Sequence, residues 1–429
     1  MRTSVFIIKG NIVYSKDVHS LEVCEHGYLV CEENRILGVY QTLPFRYGGI
    51  PIEDYGDRLI IPGLVDLHVH APQYSFRGLG MDMELLEWLE TNTFPEEAKF
   101  QDEEYAKQAY RIFVGHLRKG ATTRACIFAT VHRPATLLLM DMLEASGMKT
   151  LVGKVNMDRN CPNYIQETTE ESAEETIRWL REVKQRAYEH TQPILTPRFI
   201  PGCSDALMER LKEIQMSNQL PVQSHLSENP SEIDWVKRLC PKAEFYGDAY
   251  DQFGLFGRDC KTVMAHCVYS EREELERIKE NGVYIAHCPE SNINLSSGVA
   301  PVRKFLDMGL RVGMGSDVAA GSSVNLFTAM AHAIQASKLR WRMLDNSLKP
   351  LTVEEVFYMA TKGGGAFFGK AGSFEPGYEM DAVVLDDSGL KHPQELTVKQ
   401  RLERMVYLSD DRQIYAKYVG GKKLELENW

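Results

Sequence analysis

Leu59-Ile60-Ile61-Pro62-Gly63-Leu64-Val65-Asp66-Leu67-His68-Val69-His70 is an apolar run that ends in two histidines one residue apart. Side chains of a strand alternate between its faces, so a strand here puts His68 and His70 on the same one. Two imidazoles on one face at a strand's C-terminal end can share a metal ion, and zinc and iron both accept imidazole nitrogen. Taken alone, such a pair is more often structural than metal-binding.

Three further stretches change that balance. Pro221-Val222-Gln223-Ser224-His225-Leu226-Ser227-Glu228 and Thr262-Val263-Met264-Ala265-His266-Cys267 are strand-like runs that reach a histidine, and Arg311-Val312-Gly313-Met314-Gly315-Ser316-Asp317 reaches an aspartate. In each, a short apolar segment delivers one ligand-type side chain where a loop begins. Catalytic groups of a (β/α)8 barrel sit at the C-terminal ends of its strands, so these four ends make a plausible single metal site.

With these motifs in order over about 250 residues, the chain resembles the amidohydrolase superfamily, and the resemblance covers nearly the whole chain. Within that superfamily it resembles the guanine deaminases. Pro197-Arg198-Phe199, His225-Leu226-Ser227-Glu228 and Gly315-Ser316-Asp317 share the resemblance, and the narrower likeness rests on Ala71-Pro72-Gln73-Tyr74, Leu85-Leu86-Glu87-Trp88-Leu89 and Arg198-Phe199.

Bulk properties are compatible with it. A chain of 429 residues accommodates a (β/α)8 barrel and an accessory domain. The composition, 44% hydrophobic and 25% charged, is that of a soluble globular protein. A formal net charge of −11 argues against a nucleic-acid-binding surface. No apolar run approaches the roughly 20 residues that span a bilayer, and the N-terminal segment is too short and too soon interrupted for a signal peptide. Nine cysteines without a Cys-x-x-Cys pair read as mostly reduced thiols of a cytoplasmic enzyme. Cys267 and Cys288 each follow a histidine; burial beside the site is the favoured reading over sulfur ligation.

The pattern divides the chain into three segments. Residues 1–60 alternate β-like runs with turns: Ser4-Val5-Phe6-Ile7-Ile8, Gly27-Tyr28-Leu29-Val30-Cys31 and Arg35-Ile36-Leu37-Gly38-Val39-Tyr40, with turns at Gly10-Asn11 and Glu33-Asn34. Residues 61–370 alternate apolar strands with helical segments, at 103–120, 170–190 and 271–281 among others, as βα units do. Residues 371–429 return to a β pattern, in Gly377-Tyr378-Glu379-Met380-Asp381-Ala382-Val383-Val384-Leu385-Asp386, Arg404-Met405-Val406-Tyr407 and the run 414–422. The N-terminal segment is short for a sheet core of its own, so the two ends are expected to join in one small β-sandwich beside the barrel. The fold class is therefore α/β.

The resemblance implies roles for individual residues. His68, His70, His225 and Asp317 are the expected metal ligands; for Asp317 the alternative is a cap on a helix over 324–339. His266 is expected to orient the nucleophilic water, with direct ligation its rival. Binuclear relatives use a carboxylated lysine on the fourth strand, and Pro193-Ile194-Leu195-Thr196-Pro197-Arg198-Phe199 has none, so one metal is expected, zinc or else iron. Glu228, three residues beyond His225, is suited to proton transfer between water and a ring nitrogen; the alternative is a surface residue capping the loop 229–231. Gln73 both donates and accepts hydrogen bonds and could read the lactam edge of guanine. Arg198 can donate to O6 or N7, and Phe199 offers a stacking face. Trp88 is either a pocket wall or part of an amphipathic helix, and His287 lines the mouth or packs. Implied overall is the conversion of guanine to xanthine and ammonia by a cytoplasmic homodimer with a small-molecule purine substrate and no nucleic-acid or membrane partner. Alternatives are a deaminase of cytosine, an adenine derivative or an s-triazine, and a non-catalytic scaffold on the same fold.

Overall fold

A computed structural model of the chain describes residues 5–426. Ser4, the first residue of the first expected β run, lies outside the described residues. The architecture is a barrel with a second sheet at its side. Eight parallel strands form the barrel: β5 (Leu64–His70), β6 (Thr122–Phe128), β7 (Lys149–Gly153), β9 (Thr191–Pro193), β11 (Val222–Leu226), β12 (Thr262–His266), β13 (Tyr284–His287) and β14 (Arg311–Met314). β8 (Val155–Asn156) and β10 (Thr196–Pro197) make a two-stranded ladder beyond β7 and β9. The ring closes just past β9, where Leu195 N donates to Pro221 O at 2.9 Å and Leu195 O accepts from Gln223 N at 3.0 Å. Because every ring strand runs the same way, their C-terminal ends open on one mouth. Val65, Leu67, Cys126, Ile194, Val263, Ala265 and Ala286 form one buried cluster, with Phe367 packed on it.

The second sheet has the order β17-β16-β15-β4-β1-β2-β3 and unites both ends of the chain. Its strands are β1 (Val5–Asp17), β2 (Ser20–Glu32), β3 (Arg35–Tyr40), β4 (Ile52–Pro62), β15 (Ala382–Leu385), β16 (Ile414–Val419) and β17 (Lys422–Leu424). β3, at one edge, reaches the segment that leads into β15, where Ile36 N donates to Tyr378 O at 2.9 Å, and Ile8, Leu29, Ile60, Phe374, Val384 and Ala416 share one core. Gly10-Asn11 is not a turn. It is an irregularity inside β1, where Asn11 Oδ1 accepts from His26 N at 3.0 Å and Asn11 Nδ2 donates to Asp57 O at 2.8 Å. Arg404-Met405-Val406-Tyr407 is not β either. It lies in the helix Val398–Leu408, which buries Val398, Leu402, Met405 and Val406. A capping box of Thr397 and Gln400 starts that helix.

The expected helices form as Glu103–Lys119, Thr169–Arg186 and Arg272–Asn281. The first buries Ala106, Tyr110, Phe113, Val114 and Leu117 on one face. Asp102 caps its start, and the buried Lys417 Nζ of β16 donates to Leu117 O, Arg118 O and Gly120 O near its end at 3.3, 3.0 and 3.0 Å.

A buried ion cluster joins the barrel to the second sheet. Arg124 of β6 donates through Nε to Asp381 Oδ2 at 2.5 Å and through Nη2 to Glu379 Oε2 at 2.7 Å, which also accepts from Lys149 Nζ at 2.6 Å. Removing one partner of a buried pair leaves the other charge uncompensated, so Asp381→Ala is expected to destabilise the fold by about 3–5 kcal/mol in urea titration. Burial alone would raise the Glu379 carboxyl, but Arg124 and Lys149 outweigh it and hold the group at about 2, against an ordinary 4.5. A depressed acid contributes stability above its unfolded value and loses it as pH falls through its folded one. Glu379→Gln is therefore expected to flatten the stability profile between those two values; an unaltered acid limb would contradict the pairing.

Candidate active site

The four strand ends converge. His68 and His70 of β5 bring their Nε2 atoms to 3.2 Å, and His225 Nε2 of β11 stands 3.3 Å from His70 Nε2. Asp317, on the loop after β14, places Oδ1 at 3.1 Å from His68 Nε2 and 3.5 Å from His70 Nε2. His266, at the end of β12, lies with Nε2 3.7 Å from Asp317 Oδ2 and 3.4 Å from Glu228 Oε2. All five of these residues and Glu228 are buried or nearly so. The helix over the expected 324–339 begins instead at Leu326, and Asn325 caps it, leaving Asp317 to the site.

Backbone contacts fix this convergence. Asp317 N donates to His68 O at 2.8 Å and His70 N to Val318 O at 3.2 Å, so the post-β14 loop is stitched along β5. Asp66 underpins both: its Oδ1 accepts from His68 N at 3.1 Å and Ser316 N at 3.0 Å, and its Oδ2 from Ser316 Oγ at 2.5 Å. Gly315 permits the approach, since a Cβ there would meet Cys288 Sγ at 2.7 Å and His68 Cβ at 3.0 Å. His266 and Asp317 have φ of 77° and 47°. Non-glycine residues held in this left-handed region cost of order 1–3 kcal/mol each and gather at functional sites.

The donor set suits a cation. Three imidazole nitrogens face one another at contact distances that mutual hydrogen bonding cannot satisfy, and His266 Nε2 is buried with no hydrogen-bond partner. Two further contacts aim the rings: His225 Nδ1 pairs with Arg198 O at 2.6 Å and His266 Nδ1 with Asn292 Oδ1 at 2.9 Å. Such outer contacts fix which nitrogen faces a metal. Burial and then the neighbouring imidazoles hold His70 and His225 well below the ordinary histidine value, so both are neutral, as ligands must be. Burial would raise Asp317, but His68, His266 and His70 outweigh it and keep the carboxylate ionised. Burial pushes Glu228 well above the usual range and the charge of Asp317 adds to this, which favours its protonated form.

A partly open cavity lies on this cluster. Gln73, Arg198, Glu228, Glu232 and Asp317 supply its polar lining, and Leu85, Trp88, Leu89, Phe199 and Leu295 its apolar walls. The structure thus brings Gln73, Arg198 and Phe199 together with the metal-ligand candidates. Trp88 satisfies both readings: it ends the helix Leu85–Trp88, packs on Phe76 and lines the cavity. His287 is buried at the end of β13, away from the cavity lining, and burial lowers it to about 3. Cys267 and Cys288 are buried free thiols beside the site; Cys288 Sγ donates to Ala286 O at 3.5 Å, although it also falls within ligand range of His266 and Asp317. Lys154, a buried lysine just past β7, is committed to Glu167 at 2.8 Å.

Two buried carboxylates escape a reading of the sequence. Glu97 accepts from Arg198 and Gln73. Glu232 accepts from Glu228 N at 3.1 Å and from Tyr246 Oη at 2.7 Å, and burial, followed by the charge of Glu228, raises it to about 7. Glu232 was legible in principle, because Asn229-Pro230-Ser231-Glu232 is a capping box that starts the helix Pro230–Leu239. It is Asn229, and not Glu228, that caps.

Comparison with known proteins identifies the family. The amidohydrolase family model matches residues 59–424. Guanine deaminase of Dictyostelium discoideum is 34% identical over 446 aligned positions, covering 98% of each chain, and that of Homo sapiens is 42% identical over 379, covering 85% of this chain and 82% of the relative. A solved guanine deaminase from C. acetobutylicum, with guanine bound in its active site, superposes with a TM-score of 0.95 at 47% identity, covering 98% of this chain and all of that one. The chain belongs to the amidohydrolase family, in its guanine deaminase branch.

Proposed function

We propose that this chain hydrolyses guanine to xanthine and ammonia. One observation carries the reading: a single cavity joins the His68–His70–His225–Asp317 cluster and the buried Glu228 to an amide–guanidinium pair, Gln73 and Arg198, between apolar walls. A flat ring with a polar edge fits that distribution. The guanine deaminases among its relatives support the same substrate.

The proposed chemistry follows from the residues. His68, His70, His225 and Asp317 would hold one metal ion, zinc by preference and iron as the rival. Bound there, the cation supplies Lewis acidity that makes water nucleophilic at neutral pH. Asp317 accepts the proton of the water as it attacks C2, and His266, between Asp317 and Glu228, orients that water. Glu228 donates its proton to ring N3, takes the remaining proton of the added hydroxyl as the C2 carbonyl forms and passes it to the departing amino group; the proton held by Asp317 then restores Glu228, so that water and guanine leave as xanthine and ammonia. Gln73 reads the lactam edge, Arg198 donates to O6 or N7, and Phe199 and Trp88 flank the ring.

The test is ammonia release from guanine, with xanthine followed by absorbance, on protein of measured metal content. Turnover with about one metal per chain is expected, with adenine and cytosine far slower. Metal-loaded protein that leaves guanine untouched would overturn the reading, and would return the cytosine, adenine-derivative and s-triazine readings to the front. Gln73→Ala is expected to raise the guanine KM by about 3- to 10-fold, the loss of a hydrogen bond. The reading also carries a division at 1–60, 61–370 and 371–429, a cytoplasmic setting and a homodimer, which sedimentation tests. Among the described residues no helix is long and apolar enough to cross a membrane.

A further inference from the structure

Glu97 is completely buried on the five-residue helix Phe94–Ala98, outside both the metal-ligand cluster and the cavity lining. A buried carboxylate needs strong partners, and this one has three contacts. Its Oε2 accepts from Arg198 Nη1 at 2.6 Å, while its Oε1 accepts from Arg198 Nη2 at 3.1 Å and from Gln73 Nε2 at 2.9 Å. The Phe94 ring lies 5.2 Å from the same guanidinium. One carboxylate therefore grips both polar side chains that face the purine position, although Gln73 follows β5 and Arg198 follows β10.

The opposite end of the Gln73 amide is also fixed, because Ala319 N donates to Gln73 Oε1 at 3.3 Å. Glu97, when ionised, can only accept, and a backbone N–H can only donate. A flipped Gln73 would set its oxygen against the carboxylate and its NH2 against the amide N–H, losing both bonds. The assignment of this amide is thus forced by its two partners rather than left open. After these contacts Gln73 retains one N–H and one lone pair in a fixed spatial order. A 6-oxo purine presents N1–H beside the O6 acceptor; a 6-amino purine presents an N1 acceptor beside an N–H donor. A fixed amide complements one order and opposes the other.

We propose that Glu97 is a positioning residue that determines 6-oxo over 6-amino purine recognition, by locking the amide order of Gln73 and the face of Arg198. The same ion pair cancels the charge of Arg198, so that the pocket favours a neutral ring over an anion. This inference rests on the guanine reading above.

The test is Glu97→Gln in the metal-loaded full chain. Glutamine at 97 can either donate or accept, so Gln73 is no longer held one way. Guanine KM is expected to rise at least about tenfold, with kcat changed much less and with metal content retained. Hypoxanthine and adenine, both lacking the 2-amino group, serve as competitive inhibitors: the hypoxanthine Ki should rise about tenfold while the adenine Ki stays level or falls. On a Gln73→Ala background the same substitution should no longer shift hypoxanthine and adenine Ki in opposite directions, since only the contact with Arg198 is left to lose. Should Glu97→Gln not fold, Glu97→Asp keeps an accept-only group but withdraws it by one methylene from Gln73 and Arg198, and is expected to move the two Ki values in the same directions by a smaller factor. Equal changes in both Ki values, or additivity with Gln73→Ala, would overturn the proposal and leave Glu97 a packing residue. Wild-type protein inactive on guanine would instead overturn the functional reading, a distinct outcome.

Discussion

Glu228→Gln is expected to lower kcat on guanine by about 10²- to 10⁴-fold, the range a positioned acid–base group supplies. The substitution is nearly isosteric. Ser297 Oγ, 3.3 Å from Glu228 Oε1, keeps a carbonyl oxygen to donate to, and His266 keeps a polar neighbour. What disappears is the proton that Glu228 is placed to give and take back. Burial, and then the charge of Asp317, raise the Glu228 carboxyl well above its ordinary value, so both act against the ionised form. A neutral amide suffers neither. The variant should therefore bind metal as before and unfold at the same temperature or a higher one, while its turnover collapses. The exchange of stability for activity at one buried group is the signature of a site shaped for chemistry. A loss of kcat below tenfold would show that the proton travels by another route, with His266 and water the first alternative.

The parts of this site legible in the sequence are those that strands deliver. His68, His70, His225 and His266 each end an apolar run, and parallel strands with one orientation bring such ends to one mouth, so position along the chain translates into position in space. Glu97 has no such translation. Its helix, Phe94–Ala98, is five residues long and follows an irregular turn, and Glu96 and Glu97 read alike as a charged surface pair. Only the fold separates them, giving Glu96 to Lys99 and Tyr105 and burying Glu97 against Arg198. The helix Val398–Leu408 is hidden in the sequence for a different reason. Arg404-Met405-Val406-Tyr407 is β-like over four residues, and the period of Val398, Leu402, Met405 and Val406 emerges only across three turns. Gly10-Asn11 has the composition of a turn, yet the strand continues through it because Asn11 spends its amide on Asp57 and His26 across the irregularity. In each case a short window carried a local preference that tertiary hydrogen bonds or burial overrode.

Removal of the metal, or of its ligand His225, is expected to abolish activity and to weaken the fold. His225 has two tasks. Its Nε2 joins the cluster, and its Nδ1, paired with Arg198 O at 2.6 Å, ties β11 to the segment that carries Arg198 and Phe199. His225→Ala loses both, leaves the Arg198 carbonyl without that partner, and reduces the candidate ligands to His68, His70 and Asp317. Metal content should fall well below one per chain and guanine turnover to background, whereas a variant such as Glu228→Gln should retain its metal. Stability follows by mass action: a ligand that binds only the folded state at 1,000 times its Kd contributes about 4 kcal/mol. Chelation of the wild type should remove a stabilisation of that order in urea titration, and chelation of His225→Ala should remove almost none. The pH dependence has a definite sign. His70 and His225 sit well below the ordinary histidine value in the folded chain, so protons compete with metal only as the solution becomes acidic, and metal affinity should fall on that side alone. Imidazoles packed nitrogen to nitrogen and the left-handed backbone of Asp317 and His266 are unfavourable features of the kind that gather at functional sites. If His225→Ala keeps a full complement of metal and full turnover, the cation lies elsewhere and the four-residue set is wrong.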